Sequence, residues 1–258
     1  MIANYHTHTP RCGHARGGEW EYVETAVERG LKILGFSDHS PCLFDGSYYS
    51  NYRMRPEQLE DYVKTILTLR DRYEDKLEIH VGVEIEYYPA FWERTVEFLR
   101  GNGVEYLILG QHFLDNEINA HYSGSQTARE EDLEKYCFQA VTAMETGLIT
   151  YFAHPDLIRF EGEDAVYERH IRQLCRDANR LQVPLEINFL GLHENRFYPH
   201  EPFWKIAGEE KCTVIFGADA HSPESLCDPE DVKKARMLAE KYDLRITDSV
   251  KLRNLQQL

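Results

Sequence analysis

Seven short apolar runs recur along the chain, at 2–6, 33–37, 78–84, 106–110, 150–153, 184–188 and 214–217. Most are rich in Ile, Val, Leu and Phe, as strands covered on both faces require. Longer stretches with apolar residues at helical spacing follow them, at 19–29, 56–73, 90–100, 128–146, 164–180, 200–208 and 229–242. In the second, Leu59, Val63, Ile66, Leu67 and Leu69 recur at roughly helical spacing, and Pro56 stands near the first helical position, where its missing N–H costs nothing. In the fourth, Leu133, Cys137, Ala140, Val141 and Met144 make one face. Gly101, Gly147 and Gly208 fall where helix C-caps are expected. Strict alternation of strand and helix predicts an α/β fold with a parallel sheet and right-handed crossovers. Seven units fit a doubly wound sheet or a barrel. Chemistry collects at one switch point in the first and at the C-terminal ends of all the strands in the second.

The strand ends select the barrel. They read His6-Thr7-His8, Ser37-Asp38-His39, Val83-Glu84-Ile85-Glu86, Gly110-Gln111-His112, Ala153-His154-Pro155-Asp156 and, on the seventh, Gly217-Ala218-Asp219-Ala220-His221. His14 lies in the loop after the first. Successive strand residues point to opposite faces, so His6 pairs with His8, and Asp219 with His221. On the third strand, His80, Gly82, Glu84 and Glu86 share a face, which should line the barrel, while Ile79, Val81, Val83 and Ile85 should meet helices. The candidate metal ligands are His6, His8, His14, His39, Glu84, His112, His154, Asp219 and His221. They are too many for one zinc-like ion and suit two or three sharing a bridging carboxylate or hydroxide. Ions about 3.5–4 Å apart are the arrangement of phosphatases and nucleases.

Composition narrows the partners. Among 258 residues there are 12 His, 29 Lys plus Arg and 44 Asp plus Glu, a net charge of −15. That disfavours nucleic acid and anionic membranes, which need a basic footprint. One domain over 1–258 is expected at this length. No apolar run approaches the roughly 18–20 residues of a membrane span, and the first residues lack the basic and apolar regions of a secretory signal. A cytoplasmic location and six reduced thiols follow as expectations. Without a G-x-S-x-G, a P-loop or a G-x-G-x-x-G, a serine nucleophile and nucleotide cofactors have no support.

These strand-end motifs, in this order over roughly residues 5–225, resemble the PHP (polymerase and histidinol phosphatase) superfamily. Cys12-Gly13-His14-Ala15 and Glu186-Ile187-Asn188 resemble its monofunctional histidinol-phosphatase branch. The resemblance implies a distorted (β/α)7 TIM-like barrel with a trinuclear site at the C-terminal strand ends. It implies three divalent ions (zinc, iron or manganese) and hydrolysis of L-histidinol phosphate to L-histidinol and phosphate in histidine biosynthesis. A metal-activated hydroxide would attack phosphorus with no covalent intermediate. Carried over by position, His6, His8, Glu84 and Asp219 hold one ion. Glu84 bridges to a second, completed by His112 and His154. His14, His39 and His221 hold the third, with His14 where many members carry Asp.

A phosphate ester also needs a cationic clamp, and Arg is the bidentate choice. Arg159, also a candidate for neutralising the transition state, lies on the loop after the fifth strand. Arg196 lies on the loop after the sixth, and Arg16 follows His14. Asp45, Asp115 and Glu117 are guesses for reading the substrate's ammonium and imidazole. Glu86 is open between substrate contact and a solvated rim, Asp38 between support and catalysis. His80 is expected as a core residue, and His121, His170, His193 and His200 on the surface. Two alternatives stand: the same scaffold acting on another small phosphate ester or nucleotide, and an inactive metal-binding module.

Overall fold

The structure, a computed structural model, describes residues 1–118 and 121–257. Its strands are β1 (Ala3–Asn4), β2 (Ile33–Phe36), β3 (Glu78–Ile85), β4 (Tyr106–Leu109), β5 (Phe113–Leu114), β6 (His121–Tyr122), β7 (Ile149–Phe152), β8 (Leu185–Asn188), β9 (Thr213–Gly217) and β10 (Arg245–Ile246). Its α-helices are α1 (Glu19–Glu28), α2 (Leu59–Tyr73), α3 (Trp92–Gly101), α4 (Glu130–Glu145), α5 (Asp164–Arg180), α6 (Phe189–His193), α7 (Glu201–Glu209) and α8 (Pro229–Lys241). Every sheet pairing in the order β1-β2-β3-β4-β7-β8-β9-β10 is parallel, and the sheet curls into a distorted TIM-like barrel.

The seam explains the distortion. Just beyond β1 and β9, Thr7 bridges Ala220, with His8 N donating to Ala220 O at 2.9 Å and Ala220 N to His6 O at 3.2 Å. At the start of β9 the partner is instead β10, where Arg245 opposes Thr213 and Ile246 opposes Val214. The apolar pattern misses β10 because its two residues are exposed and half-buried. It also misses the antiparallel hairpin β5–β6, equally short.

The face assignment on β3 holds. Ile79, Val81, Val83 and Ile85 join the large core beneath the helices. Inside the barrel, Ala3, Tyr5, Tyr106, Ile108, Tyr151, Ala153 and Ile215 form a separate layer. Tyr106 fills space left by two glycines: a Cβ on Gly35 would lie 2.2 Å from its hydroxyl, and one on Gly82 2.3 Å from its ring. That hydroxyl lies 2.8 Å from Tyr5 O and 3.0 Å from Phe36 O, the carbonyls at the ends of β1 and β2.

Of the three glycines expected at C-caps, Gly147 follows α4 with φ +75°. Gly101 instead ends α3, and the left-handed residue is Gly103. Gly208 lies within α7, where a Cβ would come 2.0 Å from Tyr242 O, so close packing against the end of α8 explains it. All six cysteines are free. Among the described residues no helix is long and apolar enough to cross a membrane.

Candidate metal centre

Backbone pairing presents the candidate ligands at one end of the barrel. Asn4 stitches the seam: its Oδ1 accepts from Ala218 N at 2.8 Å and its Nδ2 donates to Thr7 Oγ1 at 2.8 Å. Thr7 is thereby held with His6 and His8 on either side, both fully buried. His39 pairs with Glu84 as an isolated parallel bridge beyond β2. A Cβ on Gly110 would lie 2.0 Å from Glu84 Oε1, so the bare backbone at the end of β4 makes room for that carboxylate. His154 and Asp219 adopt left-handed φ values of +32° and +48°, costly for residues with a Cβ and concentrated at functional sites.

All nine candidates converge. Glu84 Oε1 lies 2.7 Å from His154 Nε2 and 3.5 Å from His112 Nε2. Glu84 Oε2 lies 3.0 Å from His39 Nδ1 and 3.6 Å from both His6 Nε2 and His8 Nε2. Asp219 Oδ1 lies 3.0, 3.4 and 3.5 Å from His8 Nε2, His221 Nδ1 and His6 Nε2. His14 Nε2 and His221 Nε2 are 3.0 Å apart. Several triplets place one donor atom each within 4.8 Å of the others, among them His6–His8–Asp219, His6–Glu84–His154, His8–His39–Glu84, His14–His39–His221 and His8–Cys12–His221.

The donors fit divalent cations. His6 Nε2, His8 Nε2, His39 Nδ1 and Glu84 Oε2 are buried without a hydrogen-bond partner. Orphaned buried polar atoms are costly, and divalent cations among them would give them partners. On five of the histidines the other ring nitrogen is occupied, while His154 Nδ1 is buried without a partner. His6 Nδ1 faces Glu186 Oε1 at 2.8 Å, His112 Nδ1 faces Glu86 Oε1 at 2.9 Å, and His8 Nδ1 lies 3.4 Å from Asp38 Oδ1. His14 Nδ1 faces Cys12 O at 3.1 Å, and His221 Nδ1 faces Asp219 O at 3.0 Å. Such partners orient an imidazole and leave the other nitrogen free to ligate.

Charges in the cluster are strongly coupled. Burial alone would lower the His6 pKa, but the carboxylates of Glu186, Asp219 and Glu84 outweigh it and raise it to about 10. Burial and the neighbouring His8 push His221 down to about 3. Burial opposes ionisation of Glu84 and Asp219, yet the surrounding imidazoles, His112 foremost at Glu84 and His6 at Asp219, hold both well below the usual carboxylate range.

Above the cluster opens a cleft of about 480 Å³, walled by Tyr52, Phe113, Tyr122, Leu157, Leu190 and Tyr198. Arg196 lines it, with Nη1 3.0 Å from Tyr198 Oη and Nη2 2.7 Å from Glu194. The other two arginines are not among its lining residues. Arg159 pairs with Glu161 at 3.2 Å and lies over Phe197, and Arg16, exposed, pairs with Glu224 at 3.4 Å. Asp45 and Asp115 pair with Arg94 and Lys135 in solvent. Glu117 is buried against Arg53. Glu86 is buried too, so the solvated-rim alternative is excluded by its place behind His112. Asp38 accepts from Thr9 Oγ1 and from His39 N, a supporting position. His80 is not a core residue: it sits partly exposed between Glu78 and Glu105. His193 pairs with Asp231.

Sequence reasoning passed over Arg53, Tyr52, Tyr198 and the role of Glu186 behind His6. For Glu186 a signal existed: it is a carboxylate in the short apolar run of β8, on the face it shares with Asn188. The loop residues Arg53 and Tyr52 carry no such pattern.

Residues 4–189 match the PHP domain family. A curated relative in Deinococcus radiodurans, named a probable histidinol-phosphatase, is 30% identical over 238 residues, 86% of this chain and 87% of that protein. A relative of the same name in Schizosaccharomyces pombe is 27% identical over 112 residues, 41% of this chain and 36% of that one. Among solved structures, the histidinol phosphate phosphatase of Lactococcus lactis, complexed with zinc, L-histidinol and phosphate, superposes with a TM-score of 0.72 at 20% identity and covers 97% of each chain. A structure from Listeria monocytogenes, described as a putative histidinol phosphatase, gives 0.71 at 19% identity, over 89% of this chain and 99% of that one. At these identities the two structures show the shared fold.

Proposed function

The chain belongs to the PHP domain family, and on that premise we propose that it is a metal-dependent phosphatase hydrolysing L-histidinol phosphate to L-histidinol and phosphate. The observation that carries this reading is the single cluster of seven imidazoles and two carboxylates on the floor of the cleft beside Arg196. The name of the Deinococcus relative and the ligands of the Lactococcus enzyme support the substrate. The uninterrupted sheet from β1 to β10 supports one domain over 1–258, and we assign the chain to the cytoplasm.

His6, His8, Glu84 and Asp219 would hold one divalent ion, His112 and His154 with Glu84 a second, and His14, His39 and His221 a third. Zinc, iron and manganese all suit such donors. The ions would supply Lewis acidity, drawing charge from the phosphoryl oxygens and lowering the pKa of water. Glu186, Glu86 and Asp38 would hold the imidazoles of His6, His112 and His8 in one tautomer. Arg196 offers a planar guanidinium to the phosphate, and Arg159, outside the cleft lining, would serve as a second clamp only by leaving Glu161 and turning inward. The aromatic walls limit water and offer faces to an imidazole. The His and Asp side chains that line the cleft would be engaged as ligands rather than free as nucleophiles, which supports direct hydrolysis without a phosphoenzyme.

The test is a comparison of kcat/KM for L-histidinol phosphate and p-nitrophenyl phosphate on protein reconstituted with each metal, with His112→Ala as the control. The natural ester should be strongly preferred. Equal turnover would sink the substrate assignment, and a trapped phosphoenzyme would sink direct hydrolysis.

A further inference from the structure

The cluster of Arg53, Glu86, Glu117 and Tyr52 stands behind the metal centre, and no ligand role accounts for it. Arg53 is buried, its side chain fully enclosed. Its Nη1 donates to Ser40 O at 2.6 Å, beyond β2. Its Nη2 donates to Glu86 Oε1 at 3.1 Å, beyond β3. Its Nε and Nη2 reach Glu117 at 3.2 and 2.5 Å, beyond β4 and inside the hairpin connection. Tyr52 Oη donates into the same pair of carboxylates and sets its ring edge-on to His39, 5.4 Å between centroids. One guanidinium thus ties together the segments just beyond β2, β3 and β5, close in sequence to His39, Glu84 and His112.

We infer that Arg53 is the positioning residue for the metal group, acting through Glu86 on His112. The chain of contacts is short. Arg53 fixes Glu86, Glu86 Oε1 accepts a hydrogen bond from His112 Nδ1 at 2.9 Å, and His112 Nε2 is left facing Glu84 at 3.5 Å. Five N–H donors in a rigid fork allow one Arg to reach a carbonyl and two carboxylates together, which Lys does not match. Two buried carboxylates would otherwise repel, and Glu86 would turn from His112. The inference rests on reading His112 as a ligand of a divalent ion.

The experiment is competitive Zn²⁺ titration of apo-protein against a chelator, with no substrate present. Arg53→Met should weaken the ion held through His112 by about 10–100-fold, as loss of such outer partners generally does. Arg53→Met/Glu117→Gln restores the net buried charge but not the tie to Glu86, so it should regain stability and leave Zn²⁺ affinity low. Arg53→Lys keeps the charge without the fork and should fall between. Wild-type affinity in whichever of these folds would overturn the inference, as would recovery of affinity in the double variant. If His112→Ala itself leaves Zn²⁺ affinity unchanged, the ligand reading fails, a result separable from any outcome at Arg53. Hydrolysis of histidinol phosphate does not enter the measurement.

Discussion

Replacing Glu186 by Ala tests the support beneath the metal centre. Glu186 is fully buried, and its carboxylate lies 2.8 and 3.1 Å from His6 Nδ1 and accepts from His154 N at 3.0 Å. In the variant both donors lose their partner in a site closed to bulk water. A buried donor without a partner costs about 1–3 kcal/mol, so two cost about 2–6 kcal/mol. Water entering the vacated volume would recover part, leaving about 2–4 kcal/mol. For a chain of this size that lowers Tm by about 4–7 °C. Released from Glu186, His6 can rotate or change tautomer, and metal affinity should fall about 10–100-fold. Glu186→Gln keeps the length and one acceptor oxygen and should lose about 1 kcal/mol and little affinity. Urea unfolding of the metal-free variants gives the first quantity, Zn²⁺ competition the second. If Glu186→Ala unfolds within about 0.5 kcal/mol of wild type, the scatter of ordinary surface substitutions, the two hydrogen bonds do not hold this site together.

Gly110→Ala should disable the centre without removing a ligand. Its Cβ would meet Glu84 Oε1 at 2.0 Å, and overpacking of this kind costs about 1–3 kcal/mol. Bound metal and activity should fall together while circular dichroism stays native, and a fully active Gly110→Ala would refute the close approach. Arg196→Met should lower kcat/KM about ten- to a hundredfold, the value of a hydrogen bond to a charged group, and Arg16→Met should change it less than about twofold. Equal effects at the two positions would mean that the cleft is not where phosphate binds. Glu105 provides a pH test remote from the centre. Burial would raise its pKa, but His80, Arg70 and the Val81 amide outweigh it and hold it at about 2, from 4.5. The folded value is the lower one, so its stabilisation is complete above about pH 4.5 and is lost as pH falls toward 2. Glu74 and Glu78 line the same cavity, and Glu78 is occupied by His80 at 2.8 Å. With allowance for partial exposure, Glu105→Gln should remove about 2 kcal/mol at neutral pH and flatten the acid limb of the urea midpoint. Parallel pH profiles for the two proteins would exclude it.

The alternation of apolar runs and amphipathic stretches suffices for the fold class, because covered parallel strands and surface helices leave opposite hydrophobic periods. The nine candidate ligands are equally legible. Eight stand at strand ends, where a parallel barrel has to bring side chains together, and His14 on the loop after the first; period-two parity says which neighbours share a face. That logic stops at residues whose role depends on partners distant in sequence. Arg16 and Arg196 look alike beside their motifs, yet one pairs with Glu224 in solvent and the other lines the cleft. Glu86 reads as a free carboxylate until Arg53 and His112 are seen against it. Gly208 reads as a cap until Tyr242 O is found where its side chain would be. β10 is invisible because two residues carry no period, and its strand character comes from the open lower half of β9. Periodicity and strand-end chemistry are local, written into neighbours along the chain. The orphaned nitrogens, the closed seam at Thr7–Ala220 and the buried guanidinium joining three loops are products of chain closure. They exist once residues up to some two hundred positions apart are packed together and desolvated, which no local pattern encodes.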